Sequence, residues 1–272
     1  MSRGTPPVAG YAASVPIRAI VFDLFDTLVD LSMDGLPRVR VREHEFPSSL
    51  GALHDVASAV VDMSLEDFAD TVFALDKTLR AERYDQGREL PTLERFERLM
   101  PWLPGAERAP ELPLRLTETH MRMFRGQVSA LDHHPEVLTA LGERARLGVC
   151  SNFSHTQTAF RVLEEAQLRW HFDVVVVSDA TGWRKPRPEI FQATLAALDV
   201  APEETLHVGD NLKADVGGAG AMGMRTAWIT RRVVDPDEKL REHEGPKPDL
   251  VLEDLAELPE ALDELPDVGE GV

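Results

Sequence analysis

A single cysteine, Cys150, among 272 residues leaves no partner for an internal disulfide. That usage fits a reducing compartment, so a cytoplasmic protein is expected. Positive charge is also scarce. There are 29 Lys and Arg against 47 Asp and Glu, a formal charge of −18. Nucleic acid and anionic membrane surfaces would both be repelled, so neither is expected as a partner. A phosphorylated substrate would be repelled at long range too, and needs cations supplied locally. No apolar run approaches the length of a membrane span. Residues 1–16 mix Pro, Gly, Ala and Ser without a continuous apolar stretch, and are expected to form a flexible lead, not a signal peptide. What remains is an ordinary globular composition, 43% hydrophobic and 28% charged, long enough for a large core plus a smaller domain.

The stretch from Ala19 to Val29 organises the rest. Its short, β-branched, apolar start predicts a buried strand that runs directly into Asp23. After Val29 the strand pattern stops. Leu50, Leu53, Ala57 and Val60 recur at helical spacing, and so do Phe68, Val72, Leu75 and Leu79 behind a capping-type start at Ser64. Pro91-Thr92 predicts another helix, and a further one runs through Leu116 and Phe124. Arg38 to Glu45 is charged without a clear period and is left unassigned. The block is expected to be a helical insert without strands.

From Pro135 the texture alternates. Helices are expected over Pro135–Arg146, Thr156–Gln167, Pro188–Leu198 and, closing, Gly217–Gly223. Strands are expected over Leu147–Cys150, Phe172–Val177, Thr205–Val208, Arg225–Ile229 and Leu250–Leu252. Four consecutive valines in the second of these suit a strand covered on both faces. Such alternation implies an α/β fold with a parallel sheet and right-handed crossovers. The tail after Pro259 is acidic.

In a parallel sheet the strand ends share one edge, where ligands bind. Four of these ends deliver Asp23, Ser151-Asn152, Lys185 (in the loop after Val177) and Asp210. Asp23 and Asp210 repel each other unless a cation lies between them, and Mg²⁺ accepts such hard oxygen ligands. Lys185 adds a compact charge that can hold a phosphate and steady an ionised Asp23. Ser151, the backbone N–H of Asn152, and Thr27 can donate to phosphoryl oxygens. Asp215 can anchor metal-bound water or hold Lys185. Taken singly, Ser151-Asn152 reads as a turn, Lys185 as a solvated lysine and Asp210 as a helix cap; their order at successive strand ends gives them joint meaning. Cys150 and His207 are expected to be packed side chains. His120, His133 and His134 lack metal-ligand spacing in sequence. Trp183 either touches substrate or closes its loop.

The chain resembles the haloacid dehalogenase-like hydrolase superfamily, helical-cap subgroup. The resemblance is carried by Phe22-Asp23-Leu24-Phe25-Asp26-Thr27-Leu28, by Ser151-Asn152, by Arg184-Lys185-Pro186-Arg187-Pro188-Glu189-Ile190-Phe191, and by His207-Val208-Gly209-Asp210-Asn211-Leu212-Lys213-Ala214-Asp215. It implies a Rossmann-like core over 17–32 and 129–258, a helical cap over 33–128 that selects the substrate, and a tail over 259–272. It also implies that Asp23 is the nucleophile, and that Mg²⁺ is held by Asp23, Asp210 and the backbone carbonyl of Phe25.

One position departs from the pattern. Phosphatases of this superfamily carry a second Asp two residues after the nucleophile, as acid and then base, and here Phe25 stands there. Asp26, one residue on, is expected to point the opposite way in an extended segment. The expected activity is therefore Mg²⁺-dependent hydrolysis of a small phosphorylated metabolite with impaired protonation of the leaving group. The alternatives are a 2-haloacid dehalogenase, which also has an aromatic residue at this position, and a weakly catalytic binding or regulatory protein. Asp210 speaks for the phosphatase, because a metal site has no purpose for an alkyl halide. Arg38, Arg40 and Arg42 are candidates for holding a substrate carboxylate.

Overall fold

The computed structural model describes residues 15–265. The expected flexible lead therefore lies almost wholly outside the described residues, as does the end of the acidic tail. The strands are β1 (Ala19–Phe22), β2 (Asp30–Leu31), β3 (Arg38–Val41), β4 (His44–Pro47), β5 (Val128–Ser129), β6 (Arg146–Ser151), β7 (Val174–Val177), β8 (Thr205–Gly209), β9 (Arg225–Ile229) and β10 (Leu250–Leu252). Six of them form one parallel sheet in the order β10-β9-β8-β1-β6-β7. This is the Rossmann-like α/β core.

All four residues of β1 are fully buried because it sits between β8 and β6, with Phe22 opposite Val208 and Val149. Side chains alternate across a strand, so β1 serves two layers. Ile20 and Phe22 join Leu138, Leu141, Val162 and Leu163 on one face; Ala19 and Val21 join Ile190, Phe191, Leu195 and Leu198 on the other. The four valines of β7 are less covered than expected. Val174 to Val176 are only half-buried because β7 is the sheet's edge. The residues after Pro259 do not begin as an open tail: Leu258–Glu264 is a helix whose Leu258 is buried in the sheet-side core.

Between β2 and β5, which pair antiparallel, lies the insert with its own apolar core. Its helices are α1 (Leu50–Ala57), α2 (Leu65–Glu82), α3 (Thr92–Leu99) and α4 (Leu112–Arg125). Ser64 caps α2 as expected: its hydroxyl accepts from the Asp67 N–H at 3.1 Å and donates to the Asp67 carboxylate at 2.7 Å. The expectation of a strand-free insert is wrong. Strands β3 and β4 form an antiparallel hairpin across Arg38 to Pro47. Val39 and Val41 are buried while Arg38 and Arg40 are exposed, a period-two pattern obscured by the density of charge.

The remaining helices that bear on the site are α5 (His134–Gly142), α6 (Thr156–Glu165), α7 (Ser178–Thr181) and α8 (Pro188–Leu198). The segment after β8 also departs from expectation. A π-helical turn over Leu212–Gly217 leads into the short helix Gly218–Gly220, in place of one helix over Gly217–Gly223. Wider turns of this kind occur often at functional sites. This one brings Asp215 back against the end of β8. Gly209 permits the approach: a Cβ there would lie 2.3 Å from Asp215 Cγ.

Candidate active site

The ends of β1, β6 and β8 are adjacent, so Asp23, Ser151 and Asp210 share one edge of the sheet. Lys185 reaches it from the loop between α7 and α8. Its ammonium donates three hydrogen bonds, to Asp23 Oδ1 at 2.7 Å, Asp215 Oδ1 at 2.6 Å and the Cys150 carbonyl at 2.7 Å. Those bonds use all three of its protons, so Lys185 is committed to organising the acids. The Asn152 side chain orients that lysine. It accepts from the Lys185 N–H at 2.6 Å and donates to the Lys185 carbonyl at 2.9 Å. The backbone N–H of Asn152 and the second N–H of its amide are then left for a substrate oxygen.

The three aspartates stand in different environments. Asp215 is fully engaged: Oδ1 meets Lys185 and His207 Nε2 (2.9 Å), and Oδ2 accepts from the Asn211 N–H at 3.1 Å. Burial alone would raise its pKa, but Lys185 and the His207 hydrogen bond bring it down to about 2. Asp23 is held above the usual carboxylate range by burial, which outweighs the attraction of Lys185. Asp210 is pushed up to about 8, first by burial and then by the charges of Asp23 and Asp215. Its carboxylate makes no ion pair or side-chain hydrogen bond among the described residues, while Trp228 Nε1 fixes its backbone carbonyl at 2.7 Å. Lys185 is the reverse case. Burial would lower its pKa, yet Asp215 and Asp23 raise it.

Oxygen atoms of Asp23, Asp210 and Asp215 lie within 4.8 Å of one another. One buried and two half-buried carboxylates with one ammonium leave negative charge uncompensated, most acutely at Asp210. Hard oxygen donors so arranged suit a hard divalent cation. Thr27 Oγ1 and Ser151 Oγ are buried without a hydrogen-bond partner among the described residues. Leaving a buried hydroxyl unpaired costs about 1–3 kcal/mol, so both are donors in waiting for an oxygen-rich ligand.

Phe25 is packed into a cluster with Phe124 of α4 and Phe153, with ring centroids 5.3 and 4.9 Å away. Asp26 does point elsewhere, though not because the chain is extended. It takes φ +60°, and its Oδ1 accepts from the Leu31 N–H at 3.0 Å and pairs with Arg232 at 2.7 Å. His207 and Cys150 are fully buried as expected, and burial pushes the Cys150 thiol up to about 11. Trp183 closes its loop: Arg88 and Arg187 stack on its ring at 4.3 and 4.9 Å.

The candidate arginines Arg38, Arg40 and Arg42 lie elsewhere, paired with Glu45 and Asp70 on the hairpin and the neighbouring α2. A cleft of about 410 Å³ beside the Phe25 cluster is instead lined by Arg80, Tyr84, His120, Asn152, Ser154 and Arg184. Sequence reasoning missed Arg80, and it missed Glu89. Glu89 is buried in the insert and binds both Ser178 Oγ and Arg184 of the core, locking the segment that leads to Lys185. Nothing local in sequence announces a pairing between residues so far apart.

Residues 17–223 match the family model of the haloacid dehalogenase-like hydrolases. The chain belongs to that family. It is 35% identical over 167 residues to a phosphoserine phosphatase of Thermus thermophilus, a match covering 59% of this chain and 62% of that protein. The chain thus spans less than two thirds of that relative's length. A glyceraldehyde 3-phosphate phosphatase of Methanopyrus kandleri is 27% identical over 253 residues, 89% of this chain and 98% of that protein. Among solved structures, a 2-haloacid dehalogenase from Pseudomonas syringae superposes with a TM-score of 0.65 at 21% identity, covering 91% of this chain and 99% of that one. That likeness shows the haloacid dehalogenase-like fold alone. Among the described residues no helix is long and apolar enough to cross a membrane.

Proposed function

We propose that this hydrolase cleaves the phosphate monoester of a small metabolite through an aspartyl-phosphate on Asp23, with Mg²⁺ bound by Asp23, Asp210 and the Phe25 carbonyl. The observation that carries the reading is Asp210, a half-buried carboxylate beside Asp23 and Asp215 that no side chain among the described residues ion-pairs or hydrogen-bonds. Bound there, the cation neutralises phosphoryl charge and relieves the repulsion between the acids. A carboxylate oxygen of Asp23 attacks phosphorus, and the ester oxygen leaves with its bonding electrons. Lys185 keeps Asp23 ionised and aimed. Thr27, Ser151 and the Asn152 N–H hold the non-bridging oxygens. Water then cleaves the acyl phosphate, releasing inorganic phosphate and restoring the Asp23 carboxylate. Relatives named as phosphatases support this chemistry.

With Phe25 in an aromatic cluster, the departing oxygen takes its proton from water. Positioned acids contribute about a hundred- to ten-thousandfold, so aryl phosphates, whose anions leave unaided, are expected to outpace alkyl phosphates. The test is a Mg²⁺-supplemented screen of phosphorylated metabolites and aryl phosphates with 2-haloacids included, using Asp23→Asn as the blank. Equal rates on alkyl and aryl esters would show that another acid serves the site. The aromatic side chain of Phe25 favours a second reading, 2-haloacid dehalogenation. Metal-independent chloride release from 2-chloropropionate would establish that reading and sink the first. Full biological activity in Asp23→Asn would point to a binding role.

A further inference from the structure

A second convergence of ligating groups lies where the start of α5 meets the end of β10. His134 is fully buried, and its Nδ1 lies 2.9 Å from the carbonyl oxygen of Leu28. A carbonyl only accepts, so Nδ1 carries the proton and the neutral ring presents a lone pair at Nε2. Among the described residues, that Nε2 has no hydrogen-bond partner. It faces Asp254 Oδ1 at 3.9 Å, and His133 Nε2 lies 2.7 Å from the same oxygen. The three ligand atoms sit within 4.8 Å of one another.

We infer that His133, His134 and Asp254 form a site for one divalent transition-metal ion of the Zn²⁺ class, separate from the carboxylates around Asp23. Two imidazoles and a carboxylate suit Zn²⁺ and its neighbours, whereas Mg²⁺ prefers all-oxygen sets. The second contacts are those of a metal site. A metal-bound imidazole characteristically donates its other N–H to a carbonyl or carboxylate, as His134 does to Leu28. Asp254 is held by the Ala256 N–H at 2.9 Å and by Arg231 Nε at 3.2 Å. The charge of Arg231 is in turn balanced by Asp30 at 2.6 and 2.9 Å.

Tetrahedral bonds of Zn²⁺ length put neighbouring ligands about 3.3 Å apart. The pair at 2.7 Å must open and the pair at 3.9 Å must close. The His133 side chain, 44% exposed, can swing to open the first, and a shift of the Asp254 carboxylate toward the buried His134 closes the second. The open side of His133 leaves a fourth position to water. The sequence concealed the site because its ligands come from two adjacent histidines and an aspartate 120 residues further on. Occupancy would tie α5 and the β10 exit to Leu28, in the turn that follows Asp23. This inference does not depend on the hydrolase mechanism.

The test is titration of the EDTA-stripped full chain with ZnCl₂ by calorimetry, in excess Mg²⁺ to saturate the carboxylates. One Zn²⁺ per chain is expected. His133→Ala should weaken it by about tenfold or more, since even supporting contacts are worth that much, and Asp210→Asn should leave it unchanged. Co²⁺ should give the visible absorption of a tetrahedral site, lost in His133→Ala. No Zn²⁺ binding, unchanged affinity in His133→Ala, or loss of binding in Asp210→Asn would each overturn the assignment.

Discussion

Charged residues do opposite work at the sheet edge and on the insert. At the edge, the side chains of Lys185 and Asp215 are 2% and 1% exposed, and every contact of one conditions the others. On the insert, the side chains of Arg40 and Glu45 are 76% and 42% exposed, and Glu45 serves Arg38 equally well. Water screens the second set, whereas Lys185 and Asp215 are almost wholly shielded from it. Breaking a buried pair leaves an uncompensated charge, whereas a surface pair merely returns to solvent. Chemistry capable of moving a phosphoryl group requires the first arrangement, because only desolvated charges keep their strength.

The sharpest way to break that contrast is Lys185→Met. It leaves Asp23 and Asp215 buried without their ammonium and should cost about 3–5 kcal/mol of stability. Urea unfolding followed by tryptophan emission measures it. A loss under about 1 kcal/mol would mean that the edge network is no more coupled than the hairpin.

Next in size is Phe25→Asp, which places an acid where the aromatic cluster now stands. Turnover of alkyl phosphates should rise by about a hundredfold, the lower end for a positioned acid, while aryl phosphates gain little. The ratio of the two kcat/KM values reports it. A variant that folds and shows no gain would overturn the proposal that Phe25 limits alkyl turnover.

His120 extends the comparison into the insert, because it is a titratable group there that is largely buried. Burial, helped by Arg95, lowers its pKa to about 4, and its Nδ1 lies 2.8 Å from Ser49 Oγ. The unfolded chain takes up this proton below about pH 6.5, and the folded chain only near pH 4. Between those values the unfolded state binds more protons, so stability falls as pH falls. Below pH 4 the term is constant. The loss across that window should be about 3 kcal/mol and should vanish in His120→Gln. A His120→Gln variant with the same pH slope would show that the ring is effectively in water.

These effects also mark what could be read from the chain. The parallel sheet was legible because buried strands such as Ala19–Phe22 and Leu147–Cys150 are apolar runs ended by polar residues. The meeting of Asp23, Lys185, Asp210 and Asp215 was legible because a parallel sheet sends every strand end to one edge. The hairpin at Arg38–Pro47 was not, since arginines on one face hid the valines on the other. The Glu89 clamp and the His134–Leu28 contact join segments that only tertiary packing brings together. The role of Asn152 was half legible: its position at a strand end was clear, but the bonds of its amide to both backbone groups of Lys185 were not.

The smallest expected effect tests the solvated side of the comparison. Arg40→Ala removes a guanidinium 3.4 Å from Glu45, yet Arg38 stays beside the same carboxylate at 3.2 Å. Exposed pairs contribute about 0–1 kcal/mol, and the surviving arginine takes up part of that, so stability should change by less than about 0.5 kcal/mol. Raising the salt concentration should shrink the difference further, because screening acts on exposed charges first. A loss above about 1.5 kcal/mol in the same urea assay would mean that the hairpin charges act as one network. Solvent exposure would then no longer separate the two regions.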